Sequence, residues 1–146
     1  MYEIETERLI GLSDLAIENG LLTCQPQTDN VINLLELKPS TGRESAFLFY
    51  EKKKKKALVC HIGITWKRGR TEVSYGTEND FRRLGYMQEA LIGLLNWIID
   101  NTEEDKIWGL PNGAESQHIL EKCGFVYYGK DEAAPTRDWF LFSIDR

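Results

Sequence analysis

The feature that most restricts this fold is a change of hydrophobic period between residues 71 and 110. Residues 71–77 read as a strand, and a turn containing Gly85 follows. Met87, Ala90, Leu91, Leu94, Leu95 and Ile98 then fall at i, i+3, i+4, i+7, i+8 and i+11, the spacing of an amphipathic helix. Residues 107–110 are short and apolar, as a buried strand is. Strand, helix and strand in succession form a βαβ unit, whose two strands lie parallel with a right-handed crossover. A chain built around such a unit has to pack helices on a sheet.

The flanking segments supply the rest of that sheet. In residues 57–66 the alternate positions Leu58, Cys60, Ile62, Ile64 and Trp66 are all apolar, so one face lies in a core. The preceding AFLFYE is equally rich in β-formers, and the lysine run at 52–56 between them reads as the solvated tip of a hairpin. With residues 71–77 these make three consecutive antiparallel strands. Asn112 with Glu115 three positions later resembles a helix cap with its N3 partner, and Ser116, Ile119, Leu120 and Cys123 continue a helical stripe that Gly124 stops. Residues 8–12, 125–129 and 138–144 read as strands and residues 31–37 as a short helix. Residues 13–30 have no clear period. At 146 residues, one α/β domain spanning 1–146 is expected, with a mixed sheet.

Composition excludes several classes. Apolar residues at 42% and four Trp, six Tyr and six Phe can fill a core, so general disorder is excluded. No apolar stretch approaches the length of a membrane span, and the opening MYEIETER lacks the apolar core of a secretory signal. Three scattered cysteines, Cys24, Cys60 and Cys123, fit a reduced, cytoplasmic setting rather than a disulfide framework or a metal site. The net charge of −5 argues against nucleic acid as a partner.

The chemistry concentrates in EVSYGTENDFRRLGYMQEAL, residues 72–91. A strand runs through a glycine turn into a long helix, whose first N–H groups lack internal partners and carry the positive end of the helix dipole. Such a turn can hold a pyrophosphate on main-chain donors alone. It is neither a GxxxxGK[ST] phosphate loop nor a GxGxxG fingerprint.

FRRLGYMQEAL, placed after a strand and opening a helix, resembles the acetyl-CoA loop Q/R-x-x-G-x-G/A of the GCN5-related N-acetyltransferases (GNAT). Arg82 and Gly85 match, and Met87 stands where Gly or Ala is usual. ETERLIGL at 5–12 resembles the first strand of the ribosomal-protein, RimJ/RimL-like branch. Ile62 and Gly63 match its third strand, residues 72–75 its fourth, and SQHILEKCGF at 116–125 its last helix and following turn. The resemblance implies a GNAT-like acyl-CoA N-acyltransferase fold of about seven strands with helices on both faces. It implies acetyl-CoA as co-substrate, no metal, and acetyl transfer to a primary amine by direct attack in a ternary complex.

By the same resemblance, Arg82, Arg83, Leu84, Gly85, Tyr86, Met87 and Gln88 hold the pyrophosphate, and Tyr75, Gly76 and Thr77 pair with pantetheine. Asn112 is a further cofactor contact. An N–H near Thr77 receives the thioester oxygen, Glu72 is the candidate base, and Ser116 the candidate acid. The branch carries Asn where this chain has Gly113, and relatives outside it carry a Tyr acid where this chain has Leu120. His61, His118 and Cys123 are read as structural or surface residues. The acceptor is a small-molecule amine or a protein N-terminus, with no nucleic-acid or membrane partner and a homodimer left open. The alternative is a member of the fold that binds acyl-CoA without transfer, as a sensor. A third reading makes the lysine run an anion-binding patch.

Overall fold

The computed structural model describes residues 2–13, 15–23, 44–53, 57–67 and 69–146. Ten strands and two α-helices lie within them. In chain order these are β1 (Tyr2–Glu5), β2 (Leu9–Ser13), β3 (Ala16–Glu18), β4 (Leu21–Thr23), β5 (Glu44–Glu51), β6 (Leu58–Lys67) and β7 (Arg70–Thr77). A single 3-10 turn, Asn79–Phe81, leads to α1 (Tyr86–Asn101). Then come β8 (Lys106–Gly109), α2 (Ala114–Lys122), β9 (Val126–Lys130) and β10 (Asp138–Ser143).

Eight strands form one mixed sheet in the order β1-β2-β5-β6-β7-β8-β10-β9, and β3 pairs with β4 in a separate hairpin. The expected antiparallel trio is β5, β6 and β7. The expected βαβ unit is present, with β7 and β8 parallel on either side of α1. The strand count exceeds the expected seven because β1 and the β3–β4 hairpin add to it. Asn19 and Gly20 both have positive φ, as a two-residue hairpin turn of right-handed strands requires. The expected short helix at 31–37 and the last three lysines of the 52–56 run lie outside the described residues. Tyr50 pairs with Leu58 across the β5–β6 hairpin.

Both described α-helices pack on one face of the sheet and touch each other. From α1, Ala90, Leu91, Leu94 and Ile98 are fully buried against Phe47, Phe49, Ile62 and Ile64. Trp97 adds edge-on ring contacts to Tyr2 and Phe47 at 5.2 and 5.5 Å. One correction concerns α2. Its N-cap is Gly113, without a side-chain capping bond, so Asn112 precedes the cap instead of forming it. Its C-terminus behaves as expected. Gly124 N–H donates to the Glu121 carbonyl and Phe125 N–H to that of Leu120, the paired bonds of a Schellman turn.

The start of α1 is tied to the β1–β2 turn through one carboxylate. Glu89 accepts from the Thr6 hydroxyl at 2.5 Å, the Arg8 N–H at 2.8 Å and Arg8 Nε at 2.7 Å. Arg8 Nη1 donates onward to the Leu84 carbonyl at 3.0 Å, and its guanidinium lies 4.0 Å over the Tyr86 ring. Burial pushes the Glu89 carboxyl up, but the hydrogen bonds from Thr6 and Arg8 together outweigh it and hold it below its ordinary value. A depressed carboxyl stabilises the fold above its unfolded pKa, and that stability is lost as pH falls through the lower folded value. Removing such charge-assisted bonds costs about 1–3 kcal/mol, and each kcal/mol is worth roughly 2–4 °C at this size. Glu89→Gln should therefore melt several degrees below the parent at pH 7, with the gap closing below about pH 4. Thermal unfolding followed by circular dichroism across that range checks this, and a gap independent of pH contradicts it.

Candidate functional site

The βαβ unit opens into a wedge. β7 and β8 pair only through Glu72 with Trp108 and Val73 with Gly109. Beyond Gly109 the chain leaves the sheet through Leu110 and Pro111, and a proline has no N–H to continue the ladder. The last part of β7 thus has one bare edge. Glu78 N–H donates to the Val59 carbonyl, and the β6–β7 register is unbroken from there back to Arg70. By the alternation of an antiparallel pair, the N–H and C=O groups of Tyr75 and Thr77 then point away from β6, into the wedge. Arg82 Nε reaches the Thr77 carbonyl from that side at 3.3 Å.

The start of α1 stands at the mouth of this wedge. Arg83 has φ 62° and Gly85 φ 79°, both in the left-handed region. At Gly85 an added Cβ would have room, since only Arg8 Nη2 lies near, at 3.6 Å. The demand there is conformational, and glycine meets it without strain. The first intrahelical bond is Glu89 N–H to the Gly85 carbonyl, which leaves the N–H groups of Tyr86, Met87 and Gln88 without helical acceptors.

Wedge and helix start line one cleft of about 630 Å3. Tyr75, Gly76 and Thr77 line it from β7, and Phe81, Arg82 and Arg83 from the turn. Gly85, Tyr86, Met87 and Gln88 line it from α1. Asn112, Glu115, Ser116, His118 and Ile119 form the opposite wall. Of the residues expected at the cofactor, Leu84 alone is outside this lining. It is 55% exposed and contributes its carbonyl to Arg8. Phe81, Glu115 and His118 were not expected in the site. Phe81 ends the 3-10 turn and Glu115 and His118 lie on α2, and only the folded chain sets how these elements face the cleft.

Ser116 lies in the cleft and forms a hydroxyl pair with Tyr75. Its Oγ donates to the Tyr75 hydroxyl at 3.2 Å, and that hydroxyl donates to the Ser116 carbonyl at 2.7 Å. Burial pushes the Tyr75 phenol up to about 12, with the Ser116 contact opposing it. Glu72 is not brought into the cleft. It sits half-buried where β7 joins β8, beside Thr65 and Trp108 in the cross-strand register. Alternation turns its side chain to the face away from the helices, the face that also carries His61. The His61 imidazole occupies the space over Gly76, where a Cβ would come within 2.8 Å of its Cε1. Burial lowers its pKa, so it is neutral at pH 7, with Glu78 opposing the shift.

The two described cysteines are buried thiols. Cys60 is pushed up to about 12 by burial, with Glu89 adding to the shift, and Cys123 to about 11 by burial. Neither supplies a thiolate at neutral pH. Cys24 lies outside the described residues. Among the described residues no group of His, Cys, Asp and Glu could hold a metal ion, and no helix is long and apolar enough to cross a membrane.

Comparison with known proteins matches this architecture. The fold is similar to that of an acetyltransferase from Agrobacterium tumefaciens str. C58, with a TM-score of 0.70 and 14% identity over 99% of this chain and 95% of that one. It is similar to a ribosomal-protein-S5-alanine acetyltransferase from Vibrio fischeri, with a TM-score of 0.66 and 15% identity over 99% and 98%. It is also similar to the ribosomal alpha-N-protein acetyltransferase RimL in complex with coenzyme A, with a TM-score of 0.59 and 11% identity over 70% and 63%. A search of curated proteins finds no match to the sequence. The sequence profile of the acetyltransferase (GNAT) domain matches residues 22–126, a span that includes the wedge and both helices. The chain belongs to the GNAT acetyltransferase family.

Proposed function

We propose that this protein, as one N-acetyltransferase domain over residues 1–146, transfers an acetyl group from acetyl-CoA to a primary amine by direct attack in a ternary complex. The observation that carries this reading is the bare edge of β7 opening beside an unsatisfied helix start in a single cleft. That combination offers a strand-like partner for amides and a cradle for phosphates within one ligand's length. The coenzyme, when bound, supplies an acyl group activated as a thioester.

The chain's own groups then divide the work. The N–H groups at 83–88 hold the pyrophosphate, helped by the exposed cations Arg82 and Arg83. The N–H groups of Tyr75 and Thr77 pair with the pantetheine amides and receive the carbonyl oxygen as negative charge grows on it. The Ser116–Tyr75 hydroxyl pair faces the departing sulfur. A thiol of ordinary pKa about 8.5 is a weaker base as thiolate than either hydroxylate, so the pair stabilises sulfur by hydrogen bonding and need not surrender a proton. Neutral Cys60 and Cys123 support direct transfer over an acyl-cysteine route. Glu72 stands at the closed end of the wedge on the far face, where it takes the amine proton through water. The buried, reduced thiols support a cytoplasmic setting.

Three experiments test this assignment. Gly85→Glu adds strain at positive φ and a carboxylate beside the phosphates, and should weaken CoA binding at least a hundredfold by calorimetry. Unchanged affinity would remove the cofactor from this loop. Glu72→Gln should lower turnover by roughly 10²–10⁴-fold at neutral pH, with partial recovery as rising pH neutralises the amine. Ser116→Ala should cost less, and His61→Gln should stay near the parent. Loss in His61→Gln with Glu72→Gln unaffected would move the base to His61. Tight acetyl-CoA binding with no transfer to any of a broad panel of amines would favour the sensor.

A further inference from the structure

We propose that Arg137 selects the acceptor: it favours an α-amino group whose neighbouring carbon bears a carbonyl or carboxylate oxygen, and disfavours polyamines. This rests on the acetyl-transfer reading above and names the substrate class for it. A smaller pocket of about 160 Å3 continues the wedge between β7 and β8. It shares Tyr75, Asn112 and Ser116 with the larger cleft, and Ser74 and Arg137 complete its polar lining. Arg137 is the one charged residue among those lining it.

Arg137 is held rigidly in place. Its N–H donates to the Ala134 carbonyl at 2.9 Å, and its carbonyl accepts from Asp131 N–H at 3.0 Å. Nη2 donates to the Leu110 carbonyl at 2.7 Å, where the chain leaves β8. That bond uses one of five guanidinium donors. Nε is buried and has no acceptor among the described residues. The neighbouring carboxylate does not serve it either: Asp138 Oδ1 lies 3.6 Å from Lys130 Nζ and, like Arg137 Nε, has no hydrogen-bond partner among the described residues.

A half-buried guanidinium with donors to spare suits a planar oxygen acceptor. An amine entering this pocket beside the hydroxyl pair sets the substituent of its own carbon near Arg137. The fixed positive charge also favours the neutral form of that amine, which is the form that attacks. A second ammonium on the acceptor would meet repulsion instead. A peptide N-terminus and a free amino acid share the favoured chemistry, one through a carbonyl and the other through a carboxylate.

The test reads binding separately from turnover. N-acetylglycinamide, N-acetylglycine and N-ethylacetamide are titrated by calorimetry into the protein saturated with CoA. At least one of the first two should bind roughly ten- to hundredfold tighter than N-ethylacetamide, and whichever does names the source. Arg137→Met should abolish that preference while CoA affinity holds. Arg137→Lys, which keeps the charge without the planar fork, should retain it for N-acetylglycine alone. Lack of preference in the unsubstituted protein overturns the proposal whether or not Arg137→Met folds. An equal loss for all three ligands in Arg137→Met overturns it too. Acetylation of glycinamide, glycine and spermidine is followed in parallel. Ligand preference without turnover leaves the assignment of Arg137 standing and refutes transfer, whereas spermidine as the best acceptor refutes Arg137 as selector.

Discussion

The Glu89 carboxylate joins two parts of the chain that the rest of the site depends on. It sits in the first turn of α1 and receives three hydrogen bonds from Thr6 and Arg8, residues at the other end of the sequence. Arg8 passes this restraint on, holding the Leu84 carbonyl and covering the Tyr86 ring, whose hydroxyl in turn donates to Glu51 at 2.7 Å. The turn at 83–85 contains two left-handed residues, a conformation that has to be held by its surroundings. These contacts hold it from behind and leave its N–H side facing the cleft. Rigid main-chain donors lose little order on binding an anion, so a fixed turn is a better cradle than a mobile one.

A second constraint comes from the end of β8. The parallel ladder stops after two register pairs because the chain turns out through Leu110 and Pro111. Had it continued, the outward groups of Tyr75 and Thr77 would be spent on a neighbouring strand. Instead they face a cleft whose far wall is α2, docked to β7 by the Tyr75–Ser116 hydroxyl pair. The same departure carries Leu110 to Arg137, so the loop before β10 is anchored to the wedge it lines.

Much of this was legible in the sequence, and each success had a local cause. The period change from 71 to 98 fixed β7 and α1, and the alternation at 58–66 fixed β6. Gly124 marked the end of α2 because a Schellman turn needs that conformation. Two misses also carried local signals. Asn19-Gly20 between short apolar pairs is a strong hairpin cue, and Tyr2–Glu5 alternates around the buried Ile4. Other misses had none. Asn112 and Gly113 are both accepted capping types, Asn the stronger, and only the backbone shows that Gly113 takes the position. That Arg137 enters the wedge from 62 residues beyond Tyr75 depends on strand pairing over long distances.

The central claim is that main-chain donors of β7 and of the α1 start form one coenzyme site. Amide-resolved hydrogen exchange with and without CoA tests it most directly. The account predicts added protection at the amides of Tyr75, Thr77 and residues 83–88, with little change at Gly76, whose N–H already pairs with β6. Protection confined to other elements, or none at 83–88 under saturating CoA, would contradict it.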